Sequence, residues 1–305
     1  MPRETQRKLS TGVGTASAPA PRGGLPATGT PPGAWRGAGQ AQRFGATERD
    51  DRWWLIPLLQ ALGLVVLIGY ANYAAILGPA HYHYVENGRD YLSPFYSPYF
   101  HPAWLPAWLS PALLILIIPL GFRTTCYYYR KAYYRSFFAD PMGCAVGESR
   151  AQGYCGELKF PFVLQNLHRY FLYAAMVILV ILWVDVVKAC IFADRDGSHY
   201  FAIAGGSLAI LASTATLSLY TFSCHSLRHL IGGKLDCFSC AVAGGPRQKA
   251  WSIVSVLNEH HMGWAWVSLF AVCFADLYVR LCSMGMISDP MLITFRGLFD
   301  MSPIP

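Results

Sequence analysis

Long apolar runs dominate the pattern of this chain. Five occur between positions 53 and 284. The first, 53–77, opens WWLIPLLQALGLVVLIGY, and the second, about 104–122, holds LLILIIPLGF. The third, about 162–192, contains FLYAAMVILVILWVDVVKACIF. The fourth runs about 200–222 and is expected to stay helical past His225; the fifth runs about 262–284. About 20 apolar residues in a helix cross the hydrocarbon core of a bilayer. The pattern therefore predicts an all-α fold, a polytopic membrane protein built as a bundle of five transmembrane helices. The second run is short and carries Pro106, Pro111 and Pro119. Proline is tolerated in a membrane helix where neighbouring groups satisfy the carbonyls it frees.

Composition agrees. Only 13% of the 305 residues are charged, against 54% apolar, whereas a soluble domain carries about 25% charged residues. Lys and Arg fix the expected orientation, because cytoplasmic loops collect them. Nineteen of the 24 lie in the segments 1–52, 123–169 and 228–249; the other five are Arg89, Lys188, Arg195, Arg280 and Arg296. The N-terminus is thus expected in the cytoplasm and the C-terminus outside. The net charge of +7 reports this topology and gives no reason to invoke nucleic acid.

Residues 1–50 are rich in Pro, Gly, Ala, Thr and Arg without apolar periodicity, which reads as a disordered cytoplasmic tail. Residues 51–290 form the five-helix membrane domain and 291–305 an outer C-terminal segment. No signal peptide is expected, since the first apolar run starts after residue 50. No internal repeat is apparent, which speaks against an inverted-repeat transporter. The outer loop 79–103 is aromatic and proline-rich, suiting a cap at the lipid–water boundary. RTTCYYYRKAYYRSFF, from 123, reads as an interfacial helix continuing the second span.

Candidate chemistry lies in the Cys and His positions, nine of each. On this topology Cys126, Cys144, Cys155, Cys224, Cys237 and Cys240 fall at the inner face. So do His168, His225, His229, His260 and His261. Cysteines on a reducing face are rarely structural disulfides; metal binding or redox work is the commoner use. His225 and His229 are four apart and share one helical face. His168 and His261 begin neighbouring spans at similar depth. A single His at a helix end is usually an interfacial hydrogen-bonding residue, but several converging at one depth with cysteines point to a cofactor. Two stacked haems would need a second His layer, and His81, His83, His101 and His199 sit in or beside loops. One inner b-type haem, a Rieske-type [2Fe–2S] centre with two Cys and two His, and structural zinc all stay open. Cys237-x-x-Cys240 has a familiar ligand spacing, but a flexible loop makes plain surface thiols an equal reading.

Two charged pairs read as structural: Asp185 with Lys188, and Asp276 with Arg280, each a neutralising intrahelical pair near the outer boundary. YYYRKAYYR reads as a membrane-surface anchor. No GxGxxG follows a strand, so this chain holds no flavin of its own and is at most a subunit of an enzyme.

Several separate motifs, in order, resemble one family. FRTTCYYYRKAYYRSF, PMGCAV, FPFVLQNLHRYFLY, SCHSLRHLIGG and HMGWAWVSLFAVCFADLYVR, with YLSPFYSP in the outer loop, are similar to the membrane-anchor subunit of actinobacterial-type succinate dehydrogenase, respiratory complex II. The resemblance covers about residues 50–290. It implies a multi-pass subunit of the bacterial inner membrane that docks a flavoprotein and an iron–sulfur subunit. Electrons from succinate would reach a quinone, menaquinone foremost, at the quinone-reducing end of succinate:quinone oxidoreductase. It also implies a haem-less anchor with a membrane-embedded Rieske-type [2Fe–2S] cluster. Carried onto this chain, the ligand candidates are Cys126 and Cys144 on one iron and two of His168, His225, His229 and His261 on the other. The His225/His229 pair is favoured because one rigid helix presents both. Cys224 is the main competitor among the cysteines; Cys237 and Cys240 match no motif. Position and chemistry suggest Tyr127, Arg169, His261 and Trp264 for the quinone.

Overall fold

The computed structural model describes residues 45–77, 80–106, 109–148, 158, 160, 162–194, 196–233 and 235–295. Most of the expected 1–50 tail, Cys155 and the segment 296–305 lie outside the described residues.

The chain is mostly helical. Helix α1 (Leu55–Asn72) runs into a π-helical turn at Tyr73–Leu77; α2 (Ala112–Thr124) and α3 (Tyr127–Phe138) follow. A 3-10 segment (Phe162–Leu167) leads into α4 (His168–Ala189). Then come α5 (Gly205–Phe222), α6 (His225–Gly232), α7 (Gly244–Glu259) and α8 (His261–Ser283). Three stretches are long and apolar enough to cross a membrane: Leu55–Ile76, Phe162–Ala189 and His261–Ser283. The count among the described residues reaches five if each of two bent pairs forms one span. The pair α2–α3 bends by 79° and α5–α6 by 53°.

Three sequence expectations change. The second run does not become helix until Ala112, so Pro106 and Pro111 precede the helix and only Pro119 lies inside it. The fourth run does not begin as helix and does not continue unbroken past His225. His199–Ala204 is a strand, and the helix breaks at Ser223–Cys224. Finally, the fold is not purely α. A hairpin joins β1 (His83–Glu86) to β2 (Arg89–Leu92), and β3 (Ile191–Ala193), β4 (His199–Ala204) and β5 (Met291–Phe295) make a second antiparallel sheet. Alternating Tyr84, Tyr91, Phe192, Tyr200 and Ala202 side chains are buried there. The apolar runs that read as helix ends are thus partly sheet, because a short apolar segment carries no clear period.

Helix α8 is the central element. It packs along α5, and small residues are buried on both helices: Ala265, Ser268 and Ala275 on α8, and Gly206, Ser207, Ala209 and Ser213 on α5. Small residues let membrane helices approach closely, where apolar burial alone gives no driving force against lipid. By contrast only 11% of the Leu55–Ile76 span is buried, so α1 shows most of its surface outward.

Two buried carboxylates lock the end that carries the sheets. Asp276 is fully buried; it accepts from Arg280 Nε at 2.8 Å, from Tyr70 Oη at 2.5 Å and from Ser93 Oγ. Arg280 also donates to the carbonyls of Ala74 and Ala80, each at 2.9 Å. The expected Asp276–Arg280 pair therefore forms, and it also ties the π-helical turn and the first loop to α8. A buried ion pair survives only when its remaining donors and acceptors are satisfied. The second carboxylate, Asp289, forms an ion pair with Arg89, whose Nε lies 2.8 Å away, and accepts from Tyr91 Oη, Tyr278 Oη and Gly206 N at 2.8–2.9 Å. Gly206 is required: a Cβ there would lie 2.3 Å from the Tyr91 ring. The expected Asp185–Lys188 pair does not form; Asp185 instead accepts from Ser97 Oγ, since the loop carrying Ser97 offers the nearer partner.

Candidate functional site

At the opposite ends of α4, α5 and α8, about 27–35 Å along these helices at 1.5 Å per residue, lies a cavity of about 630 Å³. Its wall includes Thr125, Cys126, His168, Cys224 and His261, with Tyr127, Gln165, Asn166, His225 and Asn258 beside them.

Two helix breaks build this wall, and they are local copies of each other. Thr125 ends α2 with φ −85° and ψ −6°, and Ser223 ends α5 with φ −80° and ψ −1°. Cys126 then caps α3 at φ −66°, ψ 128°, and Cys224 caps α6 at φ −65°, ψ 134°. Each cysteine carbonyl accepts from the amide four residues on, Arg130 or Arg228, at 3.0 and 3.1 Å. Each break thus presents a hydroxyl residue followed by a buried cysteine. Two imidazoles stand against them, at the first residues of α4 and α8.

The contacts cross over. Cys126 Sγ lies 3.4 Å from His261 Nε2, and Cys224 Sγ lies 3.2 Å from His168 Nε2. The Nδ1 atoms face the hydroxyls: His168 to Thr125 Oγ1 at 2.9 Å, and His261 to Ser223 Oγ at 2.7 Å. An aromatic ring four residues before each cysteine stacks on an imidazole, Phe122 on His168 at 4.9 Å and Tyr220 on His261 at 5.1 Å between centroids. Beneath them Arg123 lies 4.8 Å from the Tyr220 ring centroid and donates to the Ala265 carbonyl at 3.2 Å and to Ser268 Oγ at 3.0 Å. Gly121 lets α2 come this close to α4; a Cβ there would fall 2.3 Å from the Phe171 ring.

A family model described as actinobacterial succinate dehydrogenase subunit SdhC matches residues 55–285. The chain belongs to this family. It is therefore a membrane subunit of an enzyme of the bacterial inner membrane. It is also similar to a chain of the solved structure "Mycobacterium smegmatis Sdh1 complex in the apo form". The two are 39% identical, with a TM-score of 0.70 over 84% of this chain and 97% of that one. No curated protein matches.

The sequence-derived candidates divide. Cys126, with the alternates Cys224, His168 and His261, comes together at the crossed pairs. His225 lines the same cavity but is exposed. His229 does not line it; its Nδ1 meets Arg169 Nη2 at 3.0 Å. A helix does present both His225 and His229, yet the break at Cys224 turns that helix, α6, off the bundle axis. Cys144 is exposed in a loop held by Glu148, whose carboxylate binds Arg135 Nη1 and the Gly143 amide, each at 2.8 Å. Of the quinone candidates, Tyr127 and His261 line the cavity; Arg169 and Trp264 do not. Cys237 and Cys240 are joined to each other as a disulfide, an outcome that neither the ligand reading nor the surface-thiol reading of this pair expected. The turn between α6 and α7 brings their Cα atoms to 5.4 Å. Sequence reasoning missed Thr125 and Ser223, although a hydroxyl residue before each central cysteine was visible.

Among the described residues no three His, Cys, Asp or Glu side chains gather as a single-ion site would require. The four donors come as two Cys–His pairs on one wall.

Proposed function

We propose that this chain is the quinone-reducing membrane anchor of a succinate dehydrogenase. It docks the flavoprotein and iron–sulfur subunits, spans the membrane five times with its N-terminus in the cytoplasm, and holds a Rieske-type [2Fe–2S] centre. The observation that carries the reading is the pair of crossed contacts, Cys126 with His261 and Cys224 with His168. Two soft thiolate donors and two neutral imidazoles are the donor set of such a centre, with the thiolates on one iron and the imidazoles on the other.

Cys126 and Cys224 would supply the thiolates, and His168 and His261 the imidazoles. Bound there, the group supplies one-electron transfer at a potential above that of an all-cysteine cluster. The chain's own residues prepare the place. Thr125 and Ser223 hold the rings, Phe122 and Tyr220 cover their faces, and Arg123 sets a positive charge behind Tyr220. Tyr127 and the amides of Gln165, Asn166 and Asn258 form a polar wall that suits the carbonyl oxygens of a quinone headgroup, menaquinone foremost. Arg169 and Trp264 leave that proposal, since neither lines the cavity.

Electron paramagnetic resonance with iron analysis on the purified complex tests the reading. The reduced parent should give the low-average-g signal of a two-His, two-Cys [2Fe–2S] centre. His168→Ala and His261→Ala should each abolish it, while a His225→Ala, His229→Ala double variant keeps it. A parent that holds only haem or zinc would sink the cluster.

A further inference from the structure

The hydroxyls at the two breaks do more than fill space, because each already has a use for its only proton. Thr125 Oγ1 donates to the Gly121 carbonyl at 2.6 Å, and Ser223 Oγ donates to the Tyr220 carbonyl at 2.9 Å. A carbonyl oxygen only accepts, and a hydroxyl has one proton and two lone pairs. The same oxygens lie 2.9 Å and 2.7 Å from His168 Nδ1 and His261 Nδ1. Both contacts at a given hydroxyl can be hydrogen bonds at once only if the imidazole is the donor there. In a neutral imidazole one nitrogen donates and the other accepts. With both contacts made at each hydroxyl, Nδ1 carries the proton on both rings and Nε2 carries the lone pair. Nε2 is the nitrogen that each ring turns toward the opposite cysteine sulfur.

We propose that Thr125 and Ser223 are paired positioning residues that fix His168 and His261 as Nδ1–H tautomers, so that each ring offers Nε2 to the metal centre. The inference rests on the ligand set proposed above and adds the ligating nitrogen and the groups that select it. The duplication supports it. Helix end, hydroxyl, cysteine cap and stacked ring recur at both breaks with φ values within 5° of each other, so the selection operates twice from one local design. The partner on the non-ligating nitrogen sets tautomer and ring direction at such sites, and its loss typically weakens metal retention 10–100-fold.

The test uses the purified complex, with histidine labelled by ¹⁵N at Nδ1 or at Nε2 alone, and pulsed electron paramagnetic resonance of the reduced centre. Strong nitrogen hyperfine coupling should follow the Nε2 label; strong coupling from the Nδ1 label overturns the proposal. Release of iron to a ferrous chelator gives a second readout. Thr125→Val and Ser223→Ala should each release iron about tenfold faster than the parent or more, and Thr125→Ser and Ser223→Thr should restore the parent rate. Release at the parent rate from both deletion variants also overturns it. A parent without the cluster signal removes the ligand reading itself and this proposal with it. A parent with the signal but with Nδ1 coupling removes this proposal alone.

Discussion

Cys126 Sγ lies 3.4 Å from His261 Nε2, although 135 residues separate them in the chain. The contact joins the break after α2 to the first turn of α8, and its counterpart, Cys224 with His168, joins the break after α5 to the first turn of α4. Four segments distant in sequence thus meet on one cavity wall.

The cysteines of that wall should be separable from their neighbours. Cys224→Ala is expected to lose the iron–sulfur signal and the associated iron, because it removes one of the two buried thiols on that wall. Cys144→Ala should keep both, since Cys144 is exposed beside the bridge of Val146 to Thr47. Iron content per complex and the reduced-state spectrum check this. Loss of signal in Cys144→Ala with retention in Cys224→Ala would reverse the assignment.

Asp276→Ala should destabilise the subunit by about 3–5 kcal/mol, the usual cost of leaving one partner of a buried ion pair uncompensated. Arg280 would keep its two carbonyl acceptors but lose its counter-charge, and Tyr70 and Ser93 would lose their acceptor. Asp51→Ala, which breaks the solvent-exposed pair with Arg49, is the contrast and should leave stability unchanged. Thermal denaturation of the purified complex distinguishes the two. Equal midpoints would refute a stabilising role for Asp276.

Acid should loosen the loop that carries Cys144. Glu148 is partly buried, which by itself raises a carboxyl pKa, but the Arg135 guanidinium and the Gly143 amide outweigh burial and hold it below the usual range. A depressed folded-state pKa stabilises above the unfolded value, about 4.3 for Glu. That contribution is lost as pH falls through the lower folded value. Hydrogen exchange of residues 139–148 should therefore rise below about pH 4 in the parent. Glu148→Gln should show the faster exchange already at neutral pH. A variant that exchanges like the parent at neutral pH would remove Glu148 as the anchor of this loop.

The proposed orientation puts the β1–β2 hairpin outside the cell. A membrane-impermeant maleimide added to intact cells should label Glu86→Cys, a replacement at an exposed hairpin position. Labelling that appears only after permeabilisation would invert the topology.

Much of this was legible along the chain. Runs such as 162–192 are too apolar and too long for water, so a lipid-spanning helix was their only economical reading. The Asp276–Arg280 pair followed from a four-residue spacing, because an α-helix brings such positions together whatever surrounds it. The motifs around Cys126, His168, Cys224 and His261 carried the family. Periodicity did not reveal that the apolar stretch 199–204 is a strand. Its six residues gain their geometry from pairing with β3 just upstream and with β5 at Met291–Phe295, which is distant in sequence.

Sequence by itself determined what depends on local composition: the lipid solvent, the approximate positions of the long helices, and the family. Tertiary structure decided which of those side chains meet. His225 and His229 looked paired because one helix carries both, yet the turn at Cys224 sends His229 to Arg169. Cys126 and Cys224, 98 positions apart, share a wall because both cap a broken helix against the start of another. Hydrogen bonds and ring stacking across four helices set that arrangement, and such terms depend on distances that no single segment specifies.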